Sequence, residues 1–110
     1  MKIIIQAPDF KAREELINFV QDNVSKLALL SERILESRVF LKLDKSDTKE
    51  NKICEIKLVI PGQDLFASKQ SNTFEDALMQ TIEAVKPQVE RWKDSKRSRE
   101  SLDSFEAEEA

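Results

Sequence analysis

The chain has 110 residues and a formal net charge of −3, with 18 Lys and Arg against 21 Asp and Glu. That length fits one domain, which can bury about two thirds of its unfolded surface in a modest core without disulfides or metal. With no His, one Cys and one Gly, the composition excludes His metal sites and catalytic triads, internal disulfides, paired-cysteine zinc motifs and Gly-rich phosphate loops.

Ile3, Ile4 and Ile5 form a β-branched run ended by Pro8, which predicts a short, mostly buried strand over residues 2–6. Leu16, Ile17, Val20, Val24 and Leu27 then recur on one helical face, flanked by Phe19. They predict an amphipathic helix over 11–29, with Glu14 and Glu15 in its first turns, where the helix dipole favours acids. After a turn at Ser31 and Glu32, Val39, Leu41 and Leu43 alternate with Arg38, Phe40, Lys42 and Asp44, a half-buried strand over 34–44. The polar residues 45–51 predict a hairpin loop. Cys54, Ile56, Leu58 and Ile60 alternate with Ile53, Glu55, Lys57 and Val59 as a second strand, and Pro61-Gly62 makes a turn. A third strand of this meander covers 64–70, with Leu65, Ala67 and Lys69 on one face and Phe66 and Ser68 on the other.

A second helix follows, for which Asn72 with Glu75, or Thr73 with Asp76, can form a capping box. Its stripe of Phe74, Leu78, Ile82, Val85, Val89 and Trp92 is long and strongly periodic. Pro87 interrupts it; an interior proline removes a hydrogen bond and costs about 3 kcal/mol in an unkinked helix, so a kink or break is expected over 83–87. Past Arg99 no apolar period survives. The expected organisation is one domain over 1–98 and an acidic, disordered tail over 99–110. Strand, helix, three strands in a meander, helix is an α+β two-layer sandwich with both helices on one face of a half-solvated sheet. Periodicity leaves the partner of the first strand open.

Few residues offer chemistry. Cys54 lies on an apolar strand face with no imidazole to activate it and reads as a core residue. Asp44 and Asp47, with Glu50 beyond, lack the glycine and spacing of a calcium loop and read as a polar turn. No carboxylate pair has a context for acid–base catalysis, so no catalytic residue, cofactor, metal or small-molecule substrate is expected. No apolar run approaches the length of a membrane span and no signal peptide opens the chain, so the expected home is the cytosol. Binding is the better class. A basic stretch of Lys86, Arg91, Lys93, Lys96, Arg97 and Arg99 abuts an acidic one of Glu100, Asp103, Glu106, Glu108 and Glu109. With the helices side by side, Lys11, Arg13 and Lys26 from one and Lys86, Arg91, Lys93, Lys96 and Arg97 from the other suit phosphate oxygens, because each contact releases condensed counterions. Trp92 reads as core packing before base stacking, and Phe40 and Phe66 as cross-strand packing on the open sheet face before stacking platforms.

Several segments carry a resemblance to a known family. They are Leu16, Phe19 and Val20 followed by Lys26-Leu27 and Glu32-Arg33-Ile34; Val39 to Leu43; Pro61-Gly62 with Leu65-Phe66-Ala67; Thr73-Phe74-Glu75-Asp76-Ala77; and Gln88-Val89 with Lys93-Asp94. In this order and spacing, over about residues 1–97, the chain resembles the ribosome hibernation-promoting factor and ribosome-associated inhibitor family, in its short form. The resemblance implies a β-α-β-β-β-α fold with two roughly parallel helices on a four-stranded sheet. It implies a bacterial, stationary-phase stress factor, monomeric when free, that binds the small ribosomal subunit in the messenger and transfer RNA channel and blocks translation by occlusion. Basic helix residues grip ribosomal RNA phosphates in that family. Lys26, Arg91, Lys93 and Arg97 match basic family positions, Lys86 less firmly, and Lys96 neighbours them. Pro87 stands where the family usually has a basic residue, Ala84 where some members have Lys, and Arg13 where a capping Ser or Thr is common. The length implies no C-terminal dimerisation domain, and Phe105-Glu106-Ala107-Glu108-Glu109 resembles the acidic tail of some short members. An alternative reading keeps the fold and gives it a protein partner, with weak or no RNA binding.

Overall fold

The computed structural model describes the backbone of residues 1–45 and 49–109, with side chains through Ser95. β1 (Lys2–Gln6) leads to α1 (Glu14–Val24), which tightens into a 3-10 segment (Ser25–Leu29). β2 (Glu36–Leu43), β3 (Lys52–Ile60) and β4 (Gln63–Ser71) follow, and then α2 (Phe74–Glu109). The sheet has the order β1-β2-β3-β4. The meander strands pair antiparallel, with Val39 opposite Ile56 and Ile56 opposite Ala67. β1 lies parallel to β2, with Ile3 opposite Ser37 and Ile5 opposite Val39. This is the pairing that period alone leaves open, and it follows from the helical crossover between the two strands.

The alternating rows become one buried layer. Val39 and Leu41, then Cys54, Ile56, Leu58 and Ile60, then Leu65 and Ala67 pack with Leu78, Ile82, Val85, Val89 and Trp92 of α2 and with Val20, Val24 and Leu27. α2 lies on β3 and β4, and α1 packs against α2 and β1. Each helix returns antiparallel to the strand before it, so α1 and α2 run in the same direction. Both reach the end of the sheet where β2 begins.

Three boundaries differ from the sequence expectation. α1 starts at Glu14 rather than residue 11, because residues 9 and 10 are committed elsewhere. Asp9 Oδ2 accepts the Leu43 N–H at 3.0 Å, and the Phe10 ring stacks on Phe74 at 4.8 Å between centroids. Arg13 occupies the N-cap in an extended conformation and supplies no side-chain cap. β2 begins at Glu36, two residues late, after a turn through Glu32 and Arg33. A kink or break is expected over 83–87; α2 runs through Pro87 as one continuous helix, so there is no break. Pro87 is exposed and sits about 160° around the helix from Val89, so the lost bond, to Glu83, falls on an exposed turn. The buried stripe on either side of it holds the helix together.

The other signals fall where the sequence puts them. Thr73 Oγ1 accepts the Asp76 N–H at 3.1 Å, while the Asp76 carboxylate is held by the Ser71 hydroxyl and by Gln80 Nε2. Gly62 takes φ +84° in the β3–β4 turn, a conformation open to glycine. The boundary expected at residue 98 and the disordered tail expected over 99–110 fall where side chains lie outside the described residues; the helical backbone continues to Glu109.

Candidate nucleic-acid interface

The candidate cations divide between the two helical elements. Lys26 is exposed in the last turn of the 3-10 segment, where a cation meets the unsatisfied carbonyls of a helix end. Arg91 is exposed on α2. Lys86 and Lys93 are half-buried and each has an acid one turn back: Lys86 Nζ lies 3.0 Å from Glu83 Oε1 and Lys93 Nζ 3.6 Å from Glu90 Oε1. Such exposed i,i+3 pairs are worth at most about 1 kcal/mol, so a phosphate can replace the acid. The side chains of Lys96 and Arg97 lie outside the described residues.

The geometry does not gather the α2 cations into one patch. At about 100° per residue, positions 86, 90, 93 and 97 share one stripe, and Arg91 lies about 160° around the helix from Lys93. The stripe therefore carries Glu90 between its cations. The common helix direction does bring Lys26 and the Arg91–Lys93 turn to the same end of the sheet. It leaves Lys11 and Arg13, at the start of α1, at the opposite end.

The other side chains with candidate chemistry are buried or hydrogen-bonded. Cys54 is fully buried and its thiol is pushed from its ordinary 9.0 to about 12, by burial first. The Thr81 hydroxyl acts against that shift and the nearby Glu55 charge adds to it. Asp44 Oδ2 accepts a hydrogen bond from Gln70 Nε2 at 2.8 Å, and Asp47 lies outside the described residues. Among the described residues no three acidic or thiol side chains could hold a metal ion together, and no helix is long and apolar enough to cross a membrane.

The family model described as sigma 54 modulation protein / S30EA ribosomal protein matches residues 3–97, from β1 to Arg97 within α2. The chain belongs to this family. Two solved structures share its fold. One is a ribosomal subunit interface protein from Coxiella burnetii, with a TM-score of 0.75 and 14% identity over 86% of this chain and 99% of that one. The other is the N-terminal domain of Protein Y from Thermus thermophilus, with a TM-score of 0.69 and 17% identity over 84% and 99%. No curated protein matches the sequence significantly. The S30EA family is one of ribosome-associated proteins and not an enzyme class. The matched span holds Lys26, Lys86, Arg91, Lys93, Lys96 and Arg97, and it stops before Arg99 and the acidic run.

Two further features separate the faces of this S30EA-family domain. On the open face of the sheet three cations are paired with acids: Arg38 with Glu36 at 3.3 Å, Lys42 with Glu55 at 2.9 Å and Lys57 with Asp64 at 3.3 Å. Lys42 Nζ also lies 5.6 Å from the centre of the Phe40 ring, and Phe66, opposite Lys57, is exposed. On the helical side sequence reasoning missed a cation. Arg33, in the turn before β2, places its guanidinium carbon 5.8 Å from the centre of the Trp92 ring. Glu32-Arg33-Ile34 carries part of the family resemblance, but no periodicity joins a turn residue to a helix position 59 residues later. Trp92 itself is 6% exposed and belongs to the core, as its place in the apolar stripe implies.

Proposed function

We propose that this protein is a ribosome-binding translation inhibitor, a hibernation factor that acts in the cytoplasm as a monomer and has no catalytic activity. It occupies the messenger and transfer RNA channel of the small subunit, and the cations of the helical layer meet ribosomal RNA phosphates. The observation that carries the reading is the family match over residues 3–97, which spans the complete sheet and both helices up to Arg97. The chemistry agrees: Lys26 and Arg91 are exposed, and the partners of Lys86 and Lys93 are exchangeable surface acids. The mechanism is steric. A rigid two-layer domain fills the space that message and transfer RNA need, and electrostatics hold it there.

The test is co-sedimentation with vacant bacterial ribosomes at two salt concentrations. Saturable binding near one copy per ribosome, weakening steeply with salt, is the expected result. A second reading, a protein-interaction module on the same fold, draws on Glu83 and Glu90 interleaved among the α2 cations and on the net charge of −3. It requires no saturable ribosome binding even at low salt.

A further inference from the structure

Arg33 differs from the other cations near the helix ends in being both fixed and unspent. Its turn is closed locally: the Arg33 N–H donates to Ser31 Oγ at 3.1 Å, and the Ile34 N–H reaches the Ser31 carbonyl. Its guanidinium rests over the indole of a core residue, Trp92, which α2 cannot move without disturbing the sheet contact. A cation–π contact of this kind uses none of the guanidinium N–H groups as conventional donors, so they stay available to an acceptor. No acid pairs with it among the described residues. Lys86 and Lys93 must first leave Glu83 and Glu90, whereas Arg33 needs no partner exchange and little loss of side-chain freedom.

Its place adds to this. The turn before β2 lies at the end of the sheet that both helices reach, so Arg33 follows the α1 segment that bears Lys26 in the chain and meets the Arg91–Lys93 turn of α2 through Trp92. The cations at this end of the sheet thereby gain a further member, outside both helices. A planar guanidinium offers paired donors in the geometry that phosphate oxygens accept, which a lysine ammonium does not.

We infer that Arg33, held over Trp92, is a phosphate-contacting residue of the RNA interface. This rests on the proposed ribosomal role, and it extends that role to a residue outside the two helices.

The experiment compares wild type, Arg33→Gln and Arg33→Lys. Binding is measured to vacant small ribosomal subunits and, separately, to a short ribosome-free RNA duplex, each across a salt series. The expected result is a loss of roughly tenfold in affinity at low salt for Arg33→Gln, with the slope of log affinity against log salt reduced by about 1. Arg33→Lys keeps the slope and recovers only part of the affinity. The thermal midpoint is read in parallel, because a latch that serves only the fold lowers it and leaves the salt slope unchanged. Trp92 is the single tryptophan, so its fluorescence also reports the site, and it should change on RNA addition in wild type more than in Arg33→Gln. An Arg33→Gln protein with wild-type affinity and slope on both probes overturns the inference and leaves the ribosomal role standing. A wild type that binds the duplex but not the subunit removes the ribosomal role, and the Arg33 comparison is then decided on the duplex. A wild type that binds neither overturns both.

Discussion

Cys54 sits near the start of β3, opposite Leu41 on one side and Lys69 on the other, with none of its surface exposed. A thiol there behaves as a small apolar side chain, and its ionisation is the part of its chemistry that burial alters. With the folded value near 12 against an ordinary 9.0, the acid is weakened by folding. Below pH 9 the thiol is protonated in both states, and its contribution to stability is constant. Between about 9 and 12 the unfolded chain releases a proton that the native state keeps, so stability falls as pH rises. Urea midpoints of wild type and Cys54→Val, measured from pH 7 to 11, should run in parallel up to about pH 9. The wild type should then fall away more steeply. Parallel profiles over the whole range would show that the thiol ionises as readily in the fold as out of it.

At the scale of elements, β4 is an exposed edge, and edges invite pairing with other chains. The Gln88 side chain of α2 covers the middle of it. Its Nε2 donates to the Phe66 carbonyl at 2.7 Å, and its Oε1 accepts the Phe66 N–H at 3.3 Å, so one amide occupies the place that a neighbouring strand would take. Gln88→Leu should lose about 1–2 kcal/mol for the two bonds and should self-associate with rising concentration. A urea midpoint with sedimentation velocity tests both effects; a variant of unchanged stability that stays monomeric would deny Gln88 this part. Nothing in the sequence announces it, because it depends on α2 crossing β4 in one register. The same limit explains which parts of the fold were legible. The alternating strands, the α1 and α2 stripes, the Pro61-Gly62 turn and the Thr73 cap are local patterns and could be read directly. The late start of α1, the parallel partner of β1, the passage of α2 through Pro87 and the seat of Arg33 depend on pairs far apart in the chain: Asp9 with Leu43, Phe10 with Phe74, Arg33 with Trp92. The cations on the helices were legible as residues. Their division between two flanks of α2, and the acids held against two of them, required the packed helix.

Over the whole molecule the charge is sorted along the chain more than it is abundant. Residues 100–110 carry five acids and no base, and removing them takes the net charge from −3 to +2. The last basic residue, Arg99, directly precedes this run. Charges so close to the cations of α2 act on the same approaching phosphates, within a few Debye lengths at physiological salt and less screened at low salt. Two effects of the acidic run point the same way: it lowers the potential that draws RNA in, and it offers carboxylates that compete for Arg91 to Arg99. Deleting residues 100–110 should therefore tighten binding to an RNA duplex at low salt, with the gain shrinking as salt rises. Both effects act before any specific contact forms, so the gain should appear in the association rate more than in the dissociation rate. Stopped-flow measurement at two salt concentrations separates the rates. Equal affinity of the full and shortened chains at low salt would mean that the acidic run neither screens nor competes, and that the cations of residues 1–99 set the binding alone.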